Sequence, residues 1–203
     1  NTLEIVSSAL SVPQNNIKDI KVLKKGMTNR SFQFSVNGVK YIFRRPGEGT
    51  DQLINRKEEA EVYNTIRGRS LCDDLVYINP DNGFKITKYI DDSRNCNPFN
   101  GHDLKLCMSK LREFHKLGLQ VNHEFKLFKQ IDFYESLWQG VPSVYKDYES
   151  VKEKVFSLKC FINSHVTKKV LTHIDAVPDN FLIVGDDVRL IDWEYAGMQD
   201  PHV

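Results

Sequence analysis

Two runs of alternating apolar and polar residues, RSFQFSV at 30–36 and VKYIFRR at 39–45, flank Asn37-Gly38. Both turn residues tolerate the positive φ of a type I′ turn, so the pattern predicts a hairpin. IKDIKVLKKG (17–26) predicts a strand ahead of it, joined through GMTN, and residues 2–10 read as a short helix ended by Pro13. Strand alternation places Ile42 and Arg44 on one face, with Tyr41, Phe43 and Arg45 on the other. From Asp51 to about Gly68 the chain reads as a charged helix with apolar positions at Leu53, Ile54, Val62 and Ile66. DDLVYINPDNGFKITKYI then predicts a second hairpin around Pro80-Asp81-Asn82-Gly83.

After Asp91 the pattern turns helical, at DLKLCMSKLREFHKLGL (103–119), DFYESLW (132–138) and SVYKDYESVKEKVFSLKCFI (143–162). Near the end KVLTH, NFLIV and VRLIDWEY read as short strands, the last two joined by Gly185-Asp186-Asp187. The expectation is an α+β chain of two lobes. An antiparallel sheet of five strands with one inserted helix occupies 1–90, a helical lobe occupies 91–203, and 91–101 is the linker. A cleft between such lobes is a common ligand site.

Composition narrows the function classes. At 203 residues, with 40% hydrophobic and 27% charged side chains, the chain can bury a real core and has a soluble globular profile. A net charge of +1 gives no global field that would draw nucleic acid or an anionic membrane, so any phosphate binding is local. Cys72, Cys96, Cys107 and Cys160 lack CxxC spacing, which speaks against a zinc site or a disulfide framework and for reduced thiols in a cytoplasm. No apolar stretch approaches the ~18 to 20 residues that span a bilayer. The chain does not begin with Met, and AGMQDPHV stops just after an apparent strand and turn, which reads as a trimmed chain. Oligomeric state is left open.

The densest chemistry lies in THIDAVPDNFLI, residues 172–183, where His173, Asp175 and Asn180 form H-x-D-x-x-x-x-N, with Asp192 following one hairpin later. Phosphoryl transfer from a nucleotide needs an oriented acceptor hydroxyl and divalent metal against the phosphate oxygens. This spacing lets Asp175 face an acceptor while Asn180 and Asp192 converge on a hard cation through oxygen. Asp179 beside Pro178 reads as a loop residue, and His173 as a structural histidine bonded to nearby backbone.

HIDAVPDNFLI together with LIDWEYAG is similar to the choline/ethanolamine kinase family, nearer its bacterial choline kinase members than aminoglycoside phosphotransferases, within the protein-kinase-like fold. GMTNRSF resembles that family's phosphate-facing hairpin, and KYIFRRPGEGTD with INRKEE its third strand and following helix. The resemblance implies Asp175 as catalytic base, Asn180 and Asp192 as magnesium ligands, and Arg44 at the position of the phosphate-binding lysine. It implies Glu59 as the ion-pair partner of Arg44, with Glu58 as runner-up. Thr28 and Asn29 would sit in the turn facing phosphate. ITKYIDD would be the inter-lobe hinge, where the backbone of Lys88 and Ile90 meets adenine and Tyr89 packs near it. Family members continue into further helices whose aromatic and acidic side chains cage a quaternary ammonium. With those helices missing here, Glu194 and Tyr195 are the candidate acceptor-side residues beside Asp175.

The implied activity is phosphorylation of choline by ATP with magnesium. Ethanolamine, an aminoglycoside or a sugar-like alcohol are alternative acceptors, and a nucleotide-binding regulator without turnover is the reading from another class. Simpler roles stand beside these. Arg44 could be a surface strand arginine and Arg45 the functional neighbour; Trp138 and Trp193 read as core, His115 as a packed helix histidine, and Lys152, Glu153 and Lys154 as a solvated face.

Overall fold

A computed structural model describes residues 2–23 and 29–202. Thr28, expected in the phosphate-facing turn, lies outside them. Helix α1 (Thr2–Leu10) precedes strands β1 (Lys18–Leu23), β2 (Asn29–Val36) and β3 (Val39–Pro46). Asn37 and Gly38, with φ of 51° and 79°, form the β2–β3 turn that their residue types predict. Helix α2 (Arg56–Ile66) then leads to β4 (Leu75–Ile78) and β5 (Lys85–Lys88), completing a five-stranded sheet in the order β1-β2-β3-β5-β4. The α2 helix starts later than its pattern suggests. Residues 50–52 form a 3-10 turn, and the Asn55 side chain caps α2 by accepting from Lys57 N–H at 3.1 Å and Glu58 N–H at 3.3 Å.

The two faces of the sheet do different work. Phe34, Val36, Phe43 and Ile86 bury one face against Val6 of α1. Each large apolar side chain so buried contributes roughly 1.5–3 kcal/mol. On β3, Arg44 has the opposite parity and turns to α2, whereas Arg45 is exposed. In the β4–β5 turn, Gly83 (φ 69°) passes so close to α2 that an added Cβ would lie 2.5 Å from Arg56 Cδ.

The linker is more structured than its composition suggests. Arg94–Asn95 forms β6 and pairs with β8 (Phe181–Val184). The sequence pattern gives no strand there because two residues are too few to show a period. Arg94 also holds the buried Asp103 of α3 (Gly101–Lys116) at 2.5 and 2.7 Å. Helix α4 (Leu127–Ser136) follows. The single helix expected over 143–162 is two, α5 (Tyr148–Ser157) and α6 (Lys159–His165), because the backbone tightens to an i→i−3 bond, Leu158 N–H to Val155 O at 3.1 Å. Lys152, expected on a solvated face, ties α5 to α4 through Glu135 and Asp132.

Strand β7 (Val170–Thr172) pairs with β10 (Gly197–Gln199), and β8 pairs with β9 (Asp187–Leu190). The strand expected over VRLIDWEY therefore ends at Leu190, before the left-handed Asp192. One apolar core joins Val62, Tyr63 and Ile66 of α2 to Phe114 of α3, Leu171, Phe181, Leu190 and Trp193. So α2 shares its buried side chains with the C-terminal half. Trp138, by contrast, is 36% exposed beside Tyr148 and is not core. All four cysteines are free, and no helix among the described residues is long and apolar enough to cross a membrane.

Candidate active site

β7 delivers the chain into a loop that begins with His173 and ends in a 3-10 turn over Pro178–Asn180, from which β8 departs. Two side chains lock the loop from inside. The Asn180 amide Nδ2 donates to the Asp175 carbonyl at 2.9 Å and to its carboxylate Oδ2 at 3.1 Å. From β6, Asn95 donates to the Asp179 carbonyl at 2.6 Å, which leaves the Asp179 side chain in solvent as a loop residue.

Ile191 brings the second motif to the first. Its N–H donates to Asn180 O at 2.9 Å, and its carbonyl accepts from His173 Nε2, also at 2.9 Å. Asp192 is thereby fixed one residue from the end of the loop. His173 is buried against Trp193, ring centroids 4.5 Å apart, and Trp193 Nε1 donates to Leu190 O at 2.9 Å. Burial pushes the His173 pKa down, so the ring holds the two segments together as an uncharged strut. Both histidine and tryptophan are scaffolding.

Two non-glycine residues in this constellation take left-handed backbone angles, Ile174 at φ 71° and Asp192 at φ 66°. For β-branched Ile174 this is a genuine outlier. Strain of this kind costs about 1–3 kcal/mol per residue and persists where the surroundings over-determine it. Here it flanks Asp175 and aims Asp192.

From the sheet lobe, Arg44 reaches the segment that carries Asp192 and Glu194. Its Nη2 pairs with Glu59 of α2, and its Nη1 lies 2.9 Å from Asp192 Oδ1 and 3.2 Å from Glu194 Oε2. Burial weighs against the Arg44 charge, but Glu59, Asp192 and Glu194 outweigh it and hold its pKa above the usual value. Glu59 rather than Glu58 is the ion-pair partner. Its carboxyl would be raised by burial, yet Arg44, Lys85 and Arg56 hold it below the ordinary range.

Three features escaped the sequence reading. Arg56, three residues before Glu59 on α2, is itself in the cluster, 3.0 Å from Glu59 and 3.4 Å from Glu194. Lys85, directly across from Arg44 in the β3–β5 register, is buried, donates to Tyr63 OH and lies 3.7 Å from Glu59. A lysine one residue before the buried Ile86 was the available signal. Glu194, expected on the acceptor side, also joins this inter-lobe cluster, where Arg44, Arg56 and Asn29 Nδ2 (3.4 Å) all point at its Oε2. Three donors outcompete solvent for a carboxylate that burial already disfavours, and that burial, with Asp192, raises its pKa.

In the segment expected to be the hinge, the Lys88 N–H donates to Asp74 O at 2.9 Å and the Tyr89 N–H to Lys40 O at 3.0 Å. Tyr195 is half-buried next to the cluster. Burial first, then Tyr134, Glu194, Asp175 and Asp192, push its phenol up to about 12. It lines a cleft of about 720 Å³ with Glu58, Glu124, Glu194, Phe125 and Phe133. Among the described residues no group of three or more His, Cys, Asp or Glu side chains forms a metal cluster.

A family model described as choline/ethanolamine kinase matches residues 20–201. The chain is 27% identical over 182 residues to the Haemophilus influenzae protein LicA, covering 87% of this chain and 53% of that protein. It thus spans about half the length of that relative. Choline kinase LicA from Streptococcus pneumoniae superposes with a TM-score of 0.84 at 30% identity, covering 98% of this chain and 69% of that one. A structure of LicA in complex with AMP gives 0.72 at 28% identity, with 98% and 70% covered.

Proposed function

Because the chain belongs to the choline/ethanolamine kinase family, we propose that it transfers the terminal phosphoryl group of ATP to the hydroxyl of a small amino alcohol, choline first. One observation carries this reading. Asp175 and Asn180 are bonded within one loop, Ile191 beside Asp192 is bonded to Asn180, and Arg44 with its partner Glu59 meets Asp192 from the opposite lobe.

Phosphoryl transfer asks a protein mainly for positioning and charge stabilisation. In this reading Asp175 accepts the proton of the acceptor hydroxyl through Oδ1, since Oδ2 is held by Asn180. Arg44 holds nucleotide phosphates, with Thr28 and Asn29 as further phosphate-side residues, and Glu59 keeps the guanidinium aimed. The Lys88 N–H is already engaged by Asp74, so adenine is read by the Lys88 carbonyl and the Ile90 N–H, with Tyr89 alongside. We take residue 90 as the end of the sheet lobe.

Asn180 and Asp192 fit a hard dication such as magnesium. The Asn180 amide nitrogen is tied to Asp175, which leaves its oxygen as the free end, and Asp192 commits Oδ1 to Arg44 while its side chain stays one-third exposed at 33%. Bound there, magnesium would supply neutralising charge to phosphate oxygens. For the acceptor, carboxylates and ring faces in the cleft with Tyr195 match the chemistry that attracts a quaternary ammonium. With its raised pKa, Tyr195 offers a ring and a neutral hydroxyl rather than a base.

ADP release measured with choline, ethanolamine and an aminoglycoside as acceptors tests the reading. Stimulation by choline is expected. Stimulation by neither choline nor ethanolamine overturns it, and nucleotide binding with no acceptor-dependent release marks a regulator instead.

A further inference from the structure

Of the three glutamates on helix α2, Glu59 and Glu61 face opposite ways, since two residues turn a helix by about 200°. Glu59 faces Arg44. Glu61 faces the C-terminal half, where its Oε1 accepts from the Asn122 backbone N–H at 2.9 Å and from Asn122 Nδ2 at 2.7 Å, and its Oε2 lies 3.2 Å from His123 Nδ1. The other ring nitrogen, Nε2, donates to Ala196 O at 2.8 Å. Ala196 comes two residues after Glu194 in the same segment that carries Asp192.

The attachment is stiff on its far side. Met198 N–H donates to His123 O at 3.0 Å, and Phe125 N–H donates to Met198 O at 3.2 Å, so residues 123–125 run alongside β10. Their approach is close enough that a Cβ on Gly197 would sit 3.0 Å from Phe125 N and 3.2 Å from the His123 ring. On its inner side, α2 buries Val62, Tyr63 and Ile66 in the core that holds Trp193. The position of α2 is therefore set by the segment around Asp192, through apolar packing on one side and Glu61 on the other.

We propose that Glu61 is a positioning residue for the nucleotide phosphates. By tying α2 through Asn122 and His123 to the segment after Asp192, it holds Glu59 where Glu59 orients Arg44. The inference rests on the reading of Arg44 as the phosphate ligand. Loss of Glu61 then weakens ligands that carry phosphates and spares the hinge contacts to a base. Glutamine at this position keeps the tie, because its amide oxygen accepts from Asn122 and its NH2 donates to His123 Nδ1 while Nε2 retains its hydrogen.

Calorimetric titration of ADP and of adenosine into the full chain tests this, using wild type, Glu59→Ala, Glu61→Ala, Glu61→Gln and the Glu59→Ala/Glu61→Ala double variant. Glu61→Ala should weaken ADP about tenfold with adenosine unchanged. Glu61→Gln should stay within about twofold of wild type, and the double variant should bind ADP no more weakly than Glu59→Ala alone. Equal loss of ADP and adenosine, no recovery with glutamine, or an additive loss in the double variant overturns the proposal. If Glu59→Ala weakens ADP and Glu61→Ala does not, only this inference falls. If Glu59→Ala leaves ADP unchanged, the phosphate-site reading falls and takes this inference with it.

Discussion

Arg44 on β3 and Glu59 on α2 form a buried ion pair whose members are 6% and 1% exposed. Such a pair is stable here because each charge has further partners: Asp192 and Glu194 for the arginine, Arg56 and Lys85 for the glutamate. Glu59→Gln leaves three buried cations short of one counter-charge. Breaking a buried pair from one side costs about 3–5 kcal/mol, and the remaining carboxylates place this case near the lower end. Urea denaturation checks it, and an unchanged midpoint would show that Asp192 and Glu194 suffice.

Asp175→Asn keeps the size of the side chain and removes its basicity. Turnover should fall by about 10²–10⁴-fold, the usual share of a general base, while nucleotide affinity stays close to wild type. The paired measurement is acceptor-dependent ADP release and ATP titration on the same protein. Retained turnover rules Asp175 out as the base.

Asn180→Ala removes an oxygen from the pair with Asp192 and also frees the Asp175 carboxylate that its amide holds at 3.1 Å. The magnesium concentration for half-maximal rate should rise about tenfold or more. An unchanged magnesium dependence with a lowered rate would assign Asn180 to loop order alone.

His173 makes stability depend on pH in a defined direction. Burial lowers its folded pKa below the ordinary 6.5, so the unfolded chain takes up the proton first as pH falls. Its stabilising contribution is complete above 6.5 and is lost as pH drops toward the folded value, with a slope of at most about 1.4 kcal/mol per pH unit. Unfolding free energies of wild type and His173→Gln between pH 5 and about 7.5 should converge at the acid end. Parallel curves would mean the ring is not the titrating group. His115, also shifted down by burial, contributes equally to both proteins.

The sheet was legible because its signals are local. The Asn37-Gly38 turn and the parity of Ile42 and Arg44 need only neighbours in sequence, and the structure reproduces both. The motif residues around Asp175 and Asp192 were readable for the same reason. What escaped depends on distant partners. Strand β6 exists because Arg94 and Asn95 find β8 nearly ninety positions later, and β10 because Met198 finds Leu171. Lys85 joins the cluster because Glu59 and Tyr63 wait for it across the fold, and Arg56, a helical neighbour of Glu59, because Glu194 reaches it from the other lobe, facts no window of sequence contains. The same holds for Glu194, whose place is set by cations from the other lobe.

The core shared by α2 and the C-terminal half has a consequence for how the molecule comes apart. Amide exchange should group α2 with α3, β7 and β8, since Val62, Tyr63 and Ile66 cannot open without exposing Phe114, Leu171 and Phe181. The strands β1 to β3 have their own apolar layer with α1 and can lose protection separately. The cooperative boundary then runs between the sheet and the helix inserted in it, so thermal breathing parts Arg44 from Glu59 before it disturbs the loop that holds Asp175.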